Sequence, residues 1–127
     1  EAIALYEKSL EKLRARLTDD HPSTLTAMRG LAKAYLRSGQ TGRAVSLYET
    51  TLAKQRIKLG GDHPDTLLSL YELAKAHASA GQSEKATLAA REFIERAKKI
   101  EYRLPQDLKA AIPEAAKLME ISKNSQS

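Results

Sequence analysis

Two histidines carry the side chains best suited to acid–base or metal chemistry, His21 and His63, each between an aspartate and a proline. An imidazole can act as a general base or bind a metal ion. The two sites repeat the same tripeptide in equivalent surroundings, and no histidine pair lies four residues apart. Because a residue before proline is disfavoured in helical geometry, we interpret both histidines as structural residues just outside helices, and we predict no metal site.

The sequence also lacks the residue combinations that carry out nucleophilic catalysis or bind phosphate groups. The chain has no cysteine, which excludes disulfides, thiolate metal ligands and cysteine nucleophiles. The serines and threonines have no associated base, and Gly60-Gly61 is not followed by the Lys-Ser or Lys-Thr of a phosphate-binding loop. We predict that the chain is not an enzyme and that it uses no cofactor, catalytic residue or small-molecule substrate.

The overall charge is mildly basic, with a formal net charge of +5 from 21 Lys+Arg and 16 Asp+Glu. Acidic and basic residues are interleaved, which is typical of solvated helix surfaces. No apolar run approaches the roughly 20 residues of a membrane span, and no signal peptide is visible. We expect a cytoplasmic protein that does not bind membranes.

A repeat with a period of 42 residues organises the chain. The tripeptide at 20–22 recurs at 62–64, and the segment 31–34 recurs unchanged at 73–76. No insertion or deletion separates the copies. A fixed period of this length predicts stacked repeats rather than a single enzyme core.

Apolar residues at helical spacing predict alternating helices of two kinds, which we call A and B. Pro22 and Pro64 suit the first position of an A helix, and Gly39 and Gly81 suit its end. The turn from A to B is therefore short, and each pair forms an antiparallel hairpin. We predict one domain over 1–121, with B helix 1–17, repeat 22–59, repeat 64–100 and a capping helix 105–121 kinked at Pro113, followed by a disordered tail at 122–127.

The spacing of Leu31-Ala32, Tyr35, Gly39, Ala44 and Tyr48 resembles the tetratricopeptide repeat. Segment 59–67 matches fully the element Leu-Gly-x-Asp-His-Pro-x-Thr-Leu, in which x is any residue and which looks like that of the kinesin-light-chain subclass. Segment 17–25 matches the same element except at Thr18. The resemblance covers residues 1 to about 100. It implies an all-α fold, a right-handed superhelix (solenoid) of stacked antiparallel helix pairs.

The resemblance also implies a non-catalytic scaffold within a larger protein, often one with kinase or nucleotide-switch domains. Because the chain begins inside a helical pattern, we expect it to be a segment of such a protein. In this family the A helices line a concave groove. Here the predicted groove residues combine cations with one aromatic ring: Arg29, Lys33, Arg37, Tyr71 and Lys75.

This composition predicts a protein or peptide partner with acidic groups, since arginine binds carboxylates through two parallel hydrogen bonds. Glu72 is expected beside the groove. The Asn-Asn pair with which related repeats hold a peptide backbone is replaced here by Arg29-Gly30 and Tyr71-Glu72, so those contacts are not carried over. An alternative is that the groove residues are ordinary solvated helix residues.

Two further alternatives use other surfaces. The B helix 1–17 has no A helix before it, which would leave its stripe of leucines partly uncovered and available for self-association. Basic residues of the last B helix would support weak nucleic-acid binding, namely Arg91, Arg96, Lys98 and Lys99. Tyr6 and Tyr48 share a repeat position, and we expect them to pack between helices with their hydroxyls at the edge.

Overall fold

The computed structural model describes residues 2–125, and within this range the protein is built from six α-helices and contains no strand. A short 3₁₀ helix, Glu101–Arg103, precedes the last α-helix. The predicted all-α fold is confirmed. In chain order the helices are α1 Ala2–Arg16, α2 Pro22–Arg37, α3 Thr41–Lys58, α4 Pro64–Ser79, α5 Ser83–Lys99 and α6 Gln106–Ser125.

The two histidines cap the A helices α2 and α4. Both have extended backbone angles, φ −64° and ψ 140° at His21 and φ −67° and ψ 137° at His63. Each Nδ1 accepts a hydrogen bond from the backbone N–H two residues on, at 3.1 Å from Ser23 and 3.0 Å from Asp65. The imidazole thus satisfies an N–H group that a helix start leaves without a partner. This capping is the structural role that the repeated tripeptide predicts.

Glycines reverse the chain after the A helices α2 and α4. Gly39 and Gly81 have φ values of 87° and 76°, in the left-handed region that side chains disfavour. The following N–H groups, of Gln40 and Gln82, bond back to the carbonyls of Tyr35 and His77 at 2.9 Å. This closed turn makes each A–B pair an antiparallel hairpin.

The helices form two layers. Each packs on its neighbours in sequence, and in addition α2 contacts α4 and α4 contacts α6. The A helices α2, α4 and α6 therefore form a continuous inner layer, with the B helices α1, α3 and α5 outside. Fully buried side chains join the layers, including Met28, Tyr48, Leu67 and Phe93.

The last A helix differs from the sequence-based layout. α6 continues through Pro113 and ends at Ser125, so residues 122–125, predicted as tail, are helical. Residues 126–127 lie outside the described part of the chain, and the kink at Pro113 stays a prediction. None of the helices described here has both the length and the apolar character needed to cross a lipid bilayer.

Candidate partner-binding surface

The five predicted groove residues all lie on A helices, but their environments differ. On α2, Lys33 and Arg37 are exposed and line a hollow of about 340 Å³ together with Tyr6 of α1. On α4, Tyr71 and Lys75 are half-buried. These four side chains are therefore accessible to solvent, to different degrees.

Tyr71 and Lys75 form one unit on α4. The Nζ atom of Lys75 lies 4.8 Å from the centre of the Tyr71 ring, a cation–π contact. Behind it, the ring of Phe93 lies 5.3 Å from that of Tyr71, tilted by 34°. Burial, followed by the charges of Glu114 and Glu72, raises the pKa of the Tyr71 hydroxyl. The Tyr71 ring is thus neutral, packs against Phe93 on one side and contacts the Lys75 ammonium group.

A third lysine occupies the same repeat position. Lys33, Lys75 and Lys117 are spaced by the 42-residue period on three successive A helices. The repeat register continues into α6. The N–H of Lys109 bonds to the Pro105 carbonyl at 3.0 Å, and 42 residues earlier the N–H of Leu67 bonds to the His63 carbonyl at 2.9 Å. Lys117 is exposed and pairs with Glu114 at 3.3 Å. Sequence reasoning missed Lys117, although the period itself was the signal that would have found it.

Arg29 is engaged inside the protein. Its Nη1 donates to Glu72 Oε1 at 2.8 Å, and the Tyr48 hydroxyl donates to Glu72 Oε2 at 2.7 Å. Glu72 is only 4% exposed, so it lies beneath the groove rather than beside it. A role of Arg29 in binding stays a prediction, but its guanidinium already neutralises a buried carboxylate. The expectation of an edge position was wrong for the Tyr48 hydroxyl, because Tyr48 is fully buried.

The Tyr48–Glu72 contact predicts a sensitivity to alkali. Burial, followed by the charge of and hydrogen bond to Glu72, raises the pKa of Tyr48 far above its usual range. A raised folded-state pKa stabilises the protein fully below the unfolded value, about pH 10, and this contribution is lost as pH rises further. We expect Tyr48→Phe to cost about 1.5 kcal/mol at pH 7, since the hydrogen bond is to a charged group.

Urea titrations at pH 7 and in steps above pH 10 measure both effects. The wild type should lose stability more steeply with alkali than Tyr48→Phe. Tyr102→Phe, at an 83% exposed position, is the matched control and should follow the wild type. Equal alkaline slopes for the wild type and Tyr48→Phe would contradict the assignment.

Nucleic-acid binding and self-association would use surfaces whose side chains are partly occupied by contacts within the protein. Arg96 donates to Glu92 at 2.8 Å and to Asp62 at 2.9 Å, whereas the other three basic residues named for nucleic-acid binding are exposed. On α1, Leu5 is 66% and Tyr6 39% exposed. Nucleic-acid binding and self-association both stay predictions.

The first part of the chain matches a known repeat family. Residues 1–57 match the family model described as tetratricopeptide repeat. No curated protein sequence matches the chain.

Two solved structures are similar over 98% of this chain, with TM-scores of 0.70 and 0.67 and sequence identities of 28% and 27%. Both are of a Podosopora anserina protein described as a kinesin light chain with nearly identical TPR-like repeats, the first being a single-substitution form. The present chain spans 65% of the length of those chains. The family match over residues 1–57, the helix-pair stacking and these neighbours together show that the chain has a TPR-like fold, similar to that of kinesin-light-chain-like repeats.

Proposed function

We propose that this chain binds an acidic segment of a protein partner along its concave groove, the exposed face of the A helices α2, α4 and α6. Tetratricopeptide repeats generally mediate protein–protein interaction. The observation that carries the proposal is the row formed by Lys33, Lys75 and Lys117, one ammonium group per A helix at the same repeat position. Arg37 adds a further exposed cation at the end of α2.

The spacing of this row suits an extended chain. Packed helices lie about 10 Å apart, so successive ammonium groups are separated by a similar distance. A polyproline II segment advances about 9 Å in three residues and then presents the same face again. A segment with an acidic residue at every third position would therefore place one carboxylate near each lysine.

Tyr71 gives the groove a second kind of contact. Its ring is half-buried, carries Lys75 on its face and is supported by Phe93. A proline or another apolar residue of the partner would pack on the part of the ring that stays accessible. The proposed ligand is thus acidic and apolar in alternation, which separates it from a uniformly acidic polymer.

The test compares two variants with the same change in net charge. Lys33→Glu/Lys75→Glu/Lys117→Glu reverses the row, while Lys8→Glu/Lys85→Glu/Lys98→Glu reverses three exposed lysines of B helices. The probe is a fluorescent peptide of four Glu-Pro-Pro triplets, and its control is a peptide of the same composition with the glutamates clustered. Three ion pairs on a solvent-accessible surface, of about 0.5 kcal/mol each, predict a loss of affinity of about tenfold or more for the first variant.

Fluorescence anisotropy measures the affinities, and circular dichroism confirms that both variants remain helical. Parallel pull-downs from the source cell lysate, analysed by mass spectrometry, identify the natural partner. Equal peptide affinity and equal captures for both variants would refute binding along the groove. Binding of the clustered peptide as tightly as the triplet peptide would refute the spacing argument.

A further inference from the structure

A cleft of about 940 Å³ opens between the B helices α1 and α3, on the side opposite the groove. Its floor is apolar and is formed by Leu10, Leu31, Tyr35 and Leu47. Charged and polar side chains form its walls: Glu7, Glu11 and Arg14 of α1, and Arg43, Ser46 and Thr50 of α3. Glu7 is already engaged, because it accepts a hydrogen bond from the Tyr35 hydroxyl at 3.3 Å. The proposed function uses none of these walls.

The equivalent position one repeat later is closed by a carboxylate. Glu92 of α5 accepts two hydrogen bonds from Arg56 of α3, at 2.6 and 3.0 Å, and one from Arg96 at 2.8 Å. The Arg56 hydrogen bond is the largest of the effects that hold the pKa of Glu92 below its usual range. Two cations and one carboxylate thus connect neighbouring B helices.

Forty-two residues earlier the cations remain and the carboxylate is missing. Arg14 occupies the position equivalent to Arg56, and Lys54 the position equivalent to Arg96. The position equivalent to Glu92 is occupied by Thr50. The α3 side of the cleft also carries smaller side chains at two other positions. Gly42 and Ser46 line the cleft at the positions where α5 has Glu84 and Leu88.

A substitute acid, Asp19, lies 3.3 Å from Arg14 Nε and 3.9 Å from Lys54 Nζ. Its side chain is 58% exposed and that of Arg14 is 46% exposed. Exposed pairs of this kind are weak and exchange readily with other anions. Arg14 and Lys54 can therefore receive a carboxylate from another molecule without breaking a buried contact.

We propose that the α1–α3 cleft binds an acidic side chain of a protein partner, whose carboxylate occupies the position that Glu92 fills in the next repeat. Arg14 in the wall of the cleft and Lys54, one helical turn beyond Thr50 on α3, hold the carboxylate, and an apolar neighbour in the ligand packs on Leu10 and Leu47. This second site does not depend on the concave groove and would allow a partner to contact both faces of the array.

The protein itself provides a first test, because Thr50→Glu supplies the missing carboxylate from α3. We expect this variant to melt about 3 °C higher than the wild type, as an added ion pair of modest strength would cause. In an Arg14→Ala background the same substitution should give no increase. A gain that survives Arg14→Ala, or no gain in the wild-type background, would overturn the geometry.

Binding is tested with N-acetyl-leucyl-glutamate amide, and the neutral glutamine analogue is the control. Two-dimensional ¹⁵N NMR of the full chain should show saturable shifts at residues of α1 and α3 with the glutamate peptide. Arg14→Ala should weaken this binding about tenfold, as loss of a charge-assisted hydrogen bond would, and Thr50→Glu should abolish it.

The lysine-row variant Lys33→Glu/Lys75→Glu/Lys117→Glu separates this site from the groove, and it should bind the dipeptide like the wild type. Loss of binding in that variant, equal binding of the glutamine analogue, or the absence of saturable shifts would each overturn the proposal. None of these results would bear on peptide binding in the groove.

Discussion

Reversing the charge of Arg29 is expected to destabilise the protein strongly rather than only to weaken its binding. Glu72 is 5% exposed at its side chain, and its Oε1 depends on the Arg29 guanidinium at 2.8 Å. Breaking a buried ion pair by removing one partner costs about 3–5 kcal/mol, and Arg29→Glu adds a like charge at the same place. We therefore expect a loss of at least about 4 kcal/mol, which is a large part of the total stability of about 5–15 kcal/mol of a domain of this size.

Urea unfolding followed by circular dichroism measures this loss. Arg37→Glu, an exposed change on the same helix, is the control and should cost less than about 0.5 kcal/mol. The charge-swapped pair Arg29→Glu/Glu72→Arg should recover part of the stability, since it restores opposite charges. If Arg29→Glu proved as stable as Arg37→Glu, the pair with Glu72 would not form in solution.

This expectation determines how binding must be tested. A set of charge reversals that includes Arg29 would lose its partner partly through destabilisation, and that loss would be mistaken for loss of a binding contact. Reversing the three lysines of the row avoids this problem, because Lys33 and Lys117 are exposed. Within the described chain, the contact recorded for the Lys75 ammonium group is the one with the face of the Tyr71 ring.

The fold could be predicted because the repeat preserves the residues that start and end helices. His21 and His63 cap α2 and α4 in the same way, and Gly39 and Gly81 end them with the same turn. Each of these features depends on residues close in sequence, so the pattern contains the information. Two of the lysines were also predictable, since one face of an A helix repeats every 42 residues.

The Arg29–Glu72 pair could not be predicted in this way. The two residues are 43 positions apart, and neither type is preserved, because Arg29 becomes Tyr71 and Gly30 becomes Glu72 in the next repeat. A contact that joins non-equivalent positions of two copies leaves no periodic signal. The Tyr48–Glu72 bond is similar, since its partners come from α3 and α4 and only packing brings them together.

Phe93 is another position at which the two repeats differ, and its substitution is the other change with a large expected effect. Its side chain is fully buried, whereas the equivalent residue one repeat earlier is Thr51. Phe93→Ala should destabilise the protein by about 4 kcal/mol, because it removes a buried ring and leaves a cavity between α4 and α5. Phe93→Leu keeps most of the volume and should cost about 1.5 kcal/mol. Urea unfolding at pH 7 checks both values.

The loss at Phe93 should also reach the groove, which distinguishes this residue from an ordinary core position. The ring of Phe93 supports Tyr71 at 5.3 Å, and Tyr71 in turn holds Lys75. Under conditions where both variants are folded, Phe93→Leu should therefore bind the Glu-Pro-Pro peptide more weakly than Leu52→Ala, a core change in α3 of equal or greater cost. Equal affinities would mean that Tyr71 keeps its position without the Phe93 ring, and that the groove is insensitive to the core behind it.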